Sequence, residues 1–144
     1  MDAKIALKEQ VFEACRRTIQ QKMDRLLNAV RDAQAAANEE TKSSAGDKYE
    51  TGRSMAQLEI EKFSAQLASL NKQMQELTRV GIDHDSKPVR AGSLVHTNMG
   101  AFFIAVNAGE VIIDNKKFFA ISTQAPIAVK MLGLSVNDSF LLNG

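Results

Sequence analysis

Four carboxylates crowd the middle of this chain, where two helical patterns meet. Segment 38–50 reads NEETKSSAGDKYE, and its acidic residues are Glu39, Glu40, Asp47 and Glu50. Carboxylate oxygens suit Mg²⁺, an ion that proteins usually hold through only one or two carboxylates. The segment could therefore complete the shell of a Mg²⁺ ion that another molecule holds, with Asp47 and Glu50 as the candidate ligands.

Part of this acidic group also has a structural explanation. Ser44 and Asp47 have the S-x-x-D spacing of a capping box, which satisfies free backbone amides at the start of a helix. Glu39 and Glu40 have no such explanation, because the macrodipole disfavours carboxylates at the C-terminal end of a helix. Both roles stay open for Asp47, and we favour a functional role for the acidic group as a whole.

The other polar residues of this segment are candidates for partner binding, because they surround the acids. They are Lys42, Ser43, Ser44, Lys48 and Tyr49. Lys42 and Lys48 could equally screen the carboxylates. Tyr49 also has a structural interpretation, since its ring could cap an apolar seam where small alanines let two helices approach.

The remaining reactive side chains are explained by structure. Cys15 falls on the apolar face of a helix, where a free thiol behaves as a small hydrophobic group. His84 stands between Asp83 and Asp85, but consecutive residues of an extended segment point in different directions, and no other His or Cys completes a metal site. His96 lies inside a predicted strand. We find no complete catalytic constellation and expect an accessory protein rather than an enzyme, without a cofactor of its own.

Two heptad patterns position the acidic segment. Apolar residues recur every seven positions up to Ala37, and from Tyr49 onward they alternate at spacings of four and three. Such spacing keeps one stripe of a helix facing a partner helix, as in a coiled coil. Two such helices joined by a short break form an antiparallel hairpin. The seam residues are Ile5, Phe12, Ile19, Leu26 and Ala33 in the first helix, and Ala56, Ile60, Phe63, Leu67, Leu70, Met74 and Leu77 in the second. A register with its turn near Ser43 pairs Leu26 with Ile60.

The pattern changes after residue 79, and the whole chain is predicted to be α+β. Residues 1–79 form the coiled-coil finger with its tip at 38–50, residues 80–91 form a linker, and residues 92–144 form a small β-rich domain. Glycine and proline interrupt the linker, which has no periodicity. The predicted strands of the domain are 94–97, 101–106, 111–114, 118–122 and 140–142. A short helix follows the fourth strand, with Ser122 or Thr123 as cap, Pro126 in its first turn and Gly133 as its stop.

Composition narrows the class of partner. The chain has 18 basic and 17 acidic residues, without the strongly basic balance of a protein that binds nucleic acid through its phosphates. We therefore expect a protein partner and no direct sequence-specific binding of nucleic acid. The N-terminus has no apolar signal-like region, and the single cysteine fits a reducing compartment. We expect a soluble cytoplasmic protein that does not contact the membrane.

A long coiled-coil hairpin with an acidic tip, a short linker and a small β-rich domain together resemble the Gre-type transcript-cleavage factors. Residues 121–128 read ISTQAPIA and are followed by Leu132-Gly133 and Asn137-Asp138. This stretch is similar to the pattern Ile-Ser-x-x-Ser-Pro-Ile-Ala…Leu-Gly-x-x-x-Gly-Asp of that family. Residues 45–49 (AGDKY) are a looser counterpart of the family's Asn-Ala-(Glu/Asp)-Tyr tip. The layout covers nearly the whole chain, whereas only the segment around Pro126 is specific, and it marks fold rather than activity.

The resemblance implies a partner, bacterial RNA polymerase. In the Gre family the finger enters the secondary channel of the polymerase, and its tip carboxylates help to hold the second active-site Mg²⁺. The polymerase then hydrolyses its own backtracked transcript by two-metal chemistry. The family's C-terminal domain has an FKBP-like fold and docks at the channel rim, which makes Pro126 a candidate contact. By this resemblance the chain would approach the RNA 3′ end only indirectly, and the Mg²⁺ would belong to the polymerase.

The tip departs from the Gre pattern in one respect. Gre factors place an Asp and a Glu seven and four residues before the tip Tyr, where this chain has Lys42 and Ala45. Asp47 and Glu50 restore the D-x-x-E spacing at a shifted place. Three outcomes stay open: stimulation of transcript cleavage, binding in the channel without cleavage, and a coiled-coil adaptor. A stand-alone prolyl isomerase would need an aromatic pocket, and the core of the small domain needs its phenylalanines.

Overall fold

The computed structural model describes residues 3–42, 46–82 and 88–140, and in them the chain is α+β. The elements in order are α1 (Ala3–Lys42), α2 (Gly46–Arg79), β1 (Leu94–Thr97), β2 (Gly100–Ala105), β3 (Gly109–Ile113), β4 (Lys116–Ser122) and α3 (Pro126–Met131). The chain divides into two compact units. One is Gln20–Lys72, and the other combines Met1–Ile19 with Gln73–Gly144. This division crosses both long helices.

The two long helices extend further toward each other than the apolar pattern predicted. The periodicity ends at Ala37 and resumes at Tyr49, yet α1 continues to Lys42 and α2 begins at Gly46. In α1 the extension includes Glu39, Glu40 and Lys42, residue types that form helix well and need no buried face. The apolar pattern therefore reports the packed part of each helix and not its ends.

The predicted seam is the less exposed stripe of each helix. Along α2 every predicted seam position from residue 56 to residue 77 is buried or half-buried, while nearly all positions between them are exposed. Along α1 the seam residues Ile19, Leu26 and Ala33 follow the same pattern. Before Ile19 most residues between the predicted seam positions are also buried or half-buried, and Val11 and Cys15 are buried more completely than Phe12. A stripe with this spacing on a long helix is the mark of one-sided packing.

The four strands form one mixed sheet in the order β1-β2-β4-β3. Two antiparallel hairpins, β1-β2 and β3-β4, are joined in the middle by the parallel pairing of β2 with β4. Three of the four strands begin earlier than predicted, since Gly100, Gly109 and Lys116 are already paired. The predicted last strand at 140–142 is wrong at Phe140, which is not in a strand, and residues 141–142 lie outside the described part.

The β3-β4 turn shows why the predicted turn was displaced by one residue. Ile113 pairs with Lys116, so the loop is Asp114-Asn115, whereas the predicted strand ending at residue 114 would have placed the turn at Asn115-Lys116. Both loop residues have positive φ, 51° and 66°. Two consecutive left-handed residues match a two-residue hairpin loop, and Asp and Asn tolerate this conformation better than most residues.

The short helix α3 begins and ends at the predicted residues but has a different cap. Ala125, and not Ser122 or Thr123, is the N-cap, and it makes no side-chain capping hydrogen bond. The residue before a proline is held in an extended conformation, so Pro126 itself fixes where the helix begins. Ser122 stabilises the preceding turn instead, because its hydroxyl accepts a hydrogen bond from the Gln124 amide at 3.1 Å. Gly133 follows the helix with φ 85°, as predicted for its stop.

Both faces of the sheet are buried. Phe102 and Ile104 point to the face that packs against Ala128 and Met131 of α3. The opposite face carries Phe103, Ala105, Val111, Phe118 and Ala120, and each of these is buried. A sheet buried on both sides needs apolar residues at successive positions, which explains the unbroken run from Phe102 to Val106.

Backbone hydrogen bonds tie the end of the linker to the small domain. The amide of Val89 donates to the Leu134 carbonyl, and the amide of Gly133 donates to the Val89 carbonyl, both at 2.8 Å. Ser93 is fully buried, and its hydroxyl accepts a hydrogen bond from the amide of Arg90 at 2.9 Å. Residues 89 and 90 therefore share hydrogen bonds with the segment that follows α3 and with the start of the sheet region.

Candidate functional site at the ends of the two long helices

The four predicted acids fall in two adjacent helix ends. Glu39 and Glu40 belong to the last turn of α1, whereas Asp47 and Glu50 belong to the first turns of α2. Only residues 43–45 separate the two helices, so the acids bracket a very short connection. Asp47 and Glu50 are three positions apart along a helix, a spacing that puts two positions on one face.

The helix dipoles act differently on the two pairs. Glu39 is exposed in the last turn of α1, where the partial negative charge of the helix end repels a carboxylate. Positions 47 and 50 lie at the opposite kind of end, where the partial positive charge favours carboxylates. Helix stability thus accounts for acids at 47 and 50 but not for acids at 39 and 40.

Several predicted partner residues lie partly or wholly outside the described structure. Ser43 and Ser44 fall outside it, so the capping box of Ser44 with Asp47 stays a prediction. Lys42 ends α1, and Lys48 and Tyr49 lie in the first turns of α2. Within the described residues, no group of three or more His, Cys, Asp or Glu side chains could hold a metal ion.

Cys15 lies in the buried stripe of α1, as its sequence position predicted. It is completely buried, and burial raises the pKa of its thiol from 9.0 to about 12. A thiol with this pKa is protonated at neutral pH and is a poor nucleophile. Cys15 therefore fills space in the core.

The histidines do not converge on a site in the described residues. The ring of His96 is exposed on β1 and meets Phe118 edge-on, with the ring centroids 6.2 Å apart. His84 lies in segment 83–87, outside the described residues, together with Asp83 and Asp85. His96 thus acts as an aromatic neighbour of the core, in line with the structural role expected for it.

The aromatic residues of the small domain are used by its core. Phe103 and Phe118 are buried to within 1% of complete burial. Phe102 and Phe119 pack against each other with ring centroids 5.7 Å apart, and Phe140 packs on the same cluster. Pro126 is exposed at the start of α3, where a partner could reach it.

Both long helices line one open groove within Gln20–Lys72. Its volume is about 430 Å³, and its walls are Lys22, Arg25 and Leu26 of α1 with Gln66, Ser69 and Leu70 of α2. From the sequence, Lys22 and Arg25 belong to a basic face of α1 that is most simply explained as solvated and that could alternatively contact a partner protein. Nothing in the sequence singles out Gln66 and Ser69, since neither breaks the apolar pattern. The signal that could have found the groove is that no acid lies three or four positions from either cation.

Comparison with known proteins leaves the function open. The chain matches no protein-family profile, and it has no match among characterised proteins or solved structures. Among the helices in the described residues, none is long and apolar enough to cross a membrane.

Proposed function

We propose that this protein is an accessory transcription factor that inserts an antiparallel coiled-coil finger into the secondary channel of bacterial RNA polymerase. Its tip would bring carboxylates close to the active-site Mg²⁺ and stimulate cleavage of backtracked RNA. The observation that carries the proposal is the grouping of Glu39, Glu40, Asp47 and Glu50 in two adjacent helix ends. The Gre-like sequence around Pro126 supports the fold proposed for the small domain and not the activity itself.

The groove supports the hairpin part of this proposal. It brings Leu26, well before the end of α1, beside Gln66, well after the start of α2. Two helices separated by three residues can meet that far from their connection only if they run antiparallel. Each is long enough for a finger, because at about 1.5 Å per residue α1 spans roughly 60 Å and α2 roughly 50 Å.

The groove also argues for a different register from the predicted one. The sequence register placed Leu26 against Ile60, but the α2 wall beside Leu26 runs from Gln66 to Leu70. A displacement of one heptad places Leu26 against Leu67 and Met23 against Leu70. Over residues 19–33 of α1 this keeps seam residues opposite seam residues, as in Ile19 with Met74 and Ala33 with Ile60, so periodicity alone does not distinguish the two registers there.

In the proposed complex the protein supplies carboxylates and the polymerase supplies the chemistry. A second Mg²⁺ at the polymerase active site activates water and stabilises the leaving oxygen of the RNA. Mg²⁺ needs few protein carboxylates, so Asp47 with Glu50 would suffice as its ligands from this chain. The finger is slender because it is only two helices wide, and the small domain, which we propose to be FKBP-like, would dock at the channel rim through the surface around Pro126.

The test is transcript shortening in backtracked elongation complexes of a bacterial RNA polymerase with Mg²⁺. We expect the protein to shorten the transcript, and we expect replacement of the four tip acids by Ala to abolish shortening. The matched control replaces four exposed acids away from the tip, Asp32, Glu59, Glu61 and Glu76, and should retain activity. Asp47→Asn separates capping from charge, since Asn keeps a hydrogen-bonding oxygen but loses the carboxylate.

Three results are informative. Shortening that only the tip variant loses supports a cleavage factor. Association with polymerase without shortening, by the unaltered chain, would replace this function with that of a channel-binding regulator. No association with polymerase would overturn the proposal and leave the adaptor role.

A further inference from the structure

We propose that the groove between α1 and α2 docks an acidic, leucine-bearing segment of a partner protein. The segment would place carboxylates on Lys22 and Arg25 and an apolar side chain on Leu26 and Leu70. This inference rests on the groove alone and does not depend on the acidic tip or on polymerase binding.

The two cations of the groove are not neutralised by their own helix. Neighbours on a helix surface lie three or four positions apart, and those of Lys22 and Arg25 include no acid. The nearest acid along α1 is Asp24, which accepts a hydrogen bond from the Gln20 side chain at 3.1 Å. Lys22 and Arg25 are themselves three positions apart, so their charges repel each other and gain nothing for folding.

Arg16 shows what a compensated cation of the same helix looks like. Its guanidinium donates to both carboxylate oxygens of Glu13, at 3.0 and 2.9 Å from Nε. No such pair is formed by Lys22 or Arg25 in the described structure. The groove therefore presents positive charge that an external carboxylate can satisfy.

The rest of the groove suits a polypeptide. Leu26 and Leu70 are seam residues that are only partly buried where they line the groove, so they offer apolar surface to a bound side chain. Gln66 and Ser69 add neutral hydrogen-bonding groups on the α2 wall. The lining thus combines two leucines with two cations and two neutral polar groups, and the volume of about 430 Å³ accommodates a few side chains.

Single-stranded nucleic acid fits these features less well. Proteins bind it with tracks of positive charge and with aromatic side chains on which bases stack. The groove has only two cations and no aromatic residue, and the chain carries a net charge of +1. Charge and apolar surface together favour an acidic peptide.

The experiment measures binding of a fluorescein-labelled helical peptide with Leu and Glu on one face to the full chain, by fluorescence anisotropy. We expect saturable binding that weakens at about 1 M salt, because exposed charge pairs are screened. Lys22→Glu with Arg25→Glu should weaken binding by about tenfold or more. The matched control, Lys62→Glu with Lys72→Glu, makes the same charge change at exposed α2 positions outside the groove and should alter binding by less than about twofold.

Further controls make each result decisive. Lys22→Gln with Arg25→Gln should also weaken binding, and circular dichroism verifies that every variant remains helical. The same peptide with Gln in place of Glu should bind poorly. The proposal is overturned by absence of saturable binding, by equal losses in the two charge-reversed variants, or by tighter binding of oligouridylate than of the peptide. Self-association that the groove variant abolishes, measured by sedimentation, would assign the groove to a second copy and also overturn it.

Discussion

The segment Gln20–Lys72 and the small sheet domain bury their residues in different ways. Among the side chains described between residues 20 and 72, only Ala33 and Ala56 are buried, and the large seam residues stay half-exposed. In the sheet domain Phe103, Phe118 and Ile104 are buried to within 1%. Two helices can shield each other on only one side, whereas a sheet covered on both faces encloses whole side chains. The helical region thus has little buried core, and more of its side-chain surface remains accessible to solvent.

The strongest test of this contrast is Phe103→Ala in the sheet. Removing a completely buried phenylalanine should lower the free energy of unfolding by about 3–5 kcal/mol. The free energy of unfolding is measured by urea denaturation, with hydrogen exchange of the sheet amides as the probe of the sheet itself. The control Ile112→Ala lies in the same sheet at a site that is 64% exposed, and it should cost no more than about 0.5 kcal/mol. Equal costs for the two variants would show that the sheet lacks the buried core described above.

A seam substitution should cost less than the sheet substitution. Leu67→Ala removes a half-buried side chain, and we expect a loss of about 1–2 kcal/mol, measured by thermal loss of helical circular dichroism. Leu58→Ala serves as the control because Leu58 is 65% exposed on the same helix. If Leu67→Ala cost as much as Phe103→Ala, the helical region would have to be enclosed by something beyond the second helix.

A substitution in the β3-β4 turn should cost about as much stability as the seam substitution, but through backbone conformation rather than lost packing. Asn115 has φ 66°, so Asn115→Ile should destabilise the domain by about 1–2 kcal/mol, while Asn115→Gly should be neutral or stabilising. Thermal unfolding of the two variants checks the sign of each change. Destabilisation by glycine would contradict a left-handed conformation at this position.

The burial of Cys15 should make the stability of the protein depend on pH in the alkaline range. Its folded pKa is about 12 against 9.0 for an accessible thiol, so its contribution to stability is complete below pH 9 and declines as the pH rises from 9 toward 12. Cys15→Ala should remove that part of the decline. At neutral pH we expect iodoacetamide to alkylate Cys15 only after unfolding. Rapid alkylation of the native protein would contradict complete burial.

The smallest effect should come from Glu13 and Arg16. The hydrogen bond from Arg16 lowers the pKa of Glu13 below 4.5, so the pair stabilises the fold above pH 4.5 and is lost as the pH falls below it. Because both side chains are exposed by about 40%, Glu13→Gln should change the thermal midpoint by no more than about one degree at neutral pH. A larger drop would mean that the pair is linked to the packing of α1.

The sequence predicted the helices and strands well where the spacing of apolar residues or a turn-forming residue determines them. The seam of α2 and strand β1 are in the predicted places, because packing requires their spacing. Helix ends were displaced, since Glu40 and Lys42 continue a helix without any apolar signal. The cap of α3 was wrong because Pro126 controls the preceding backbone regardless of the side chain at 125. The groove could not be predicted, since it depends on which residues of α1 and α2 come together in space.

The parallel pairing of β2 with β4 has a consequence for how fast the small domain folds. The two hairpins bring together residues that are close in sequence and can form independently. Joining them requires Ala101 to find Phe118 across the whole of β3 and two loops. Less local contacts close larger loops and slow folding. We therefore expect the central pairing to form last and to set the refolding rate. Substitutions in the hairpin turns would then mainly slow folding, because the turns are already formed in the transition state, while those along the β2-β4 pairing would alter both rates.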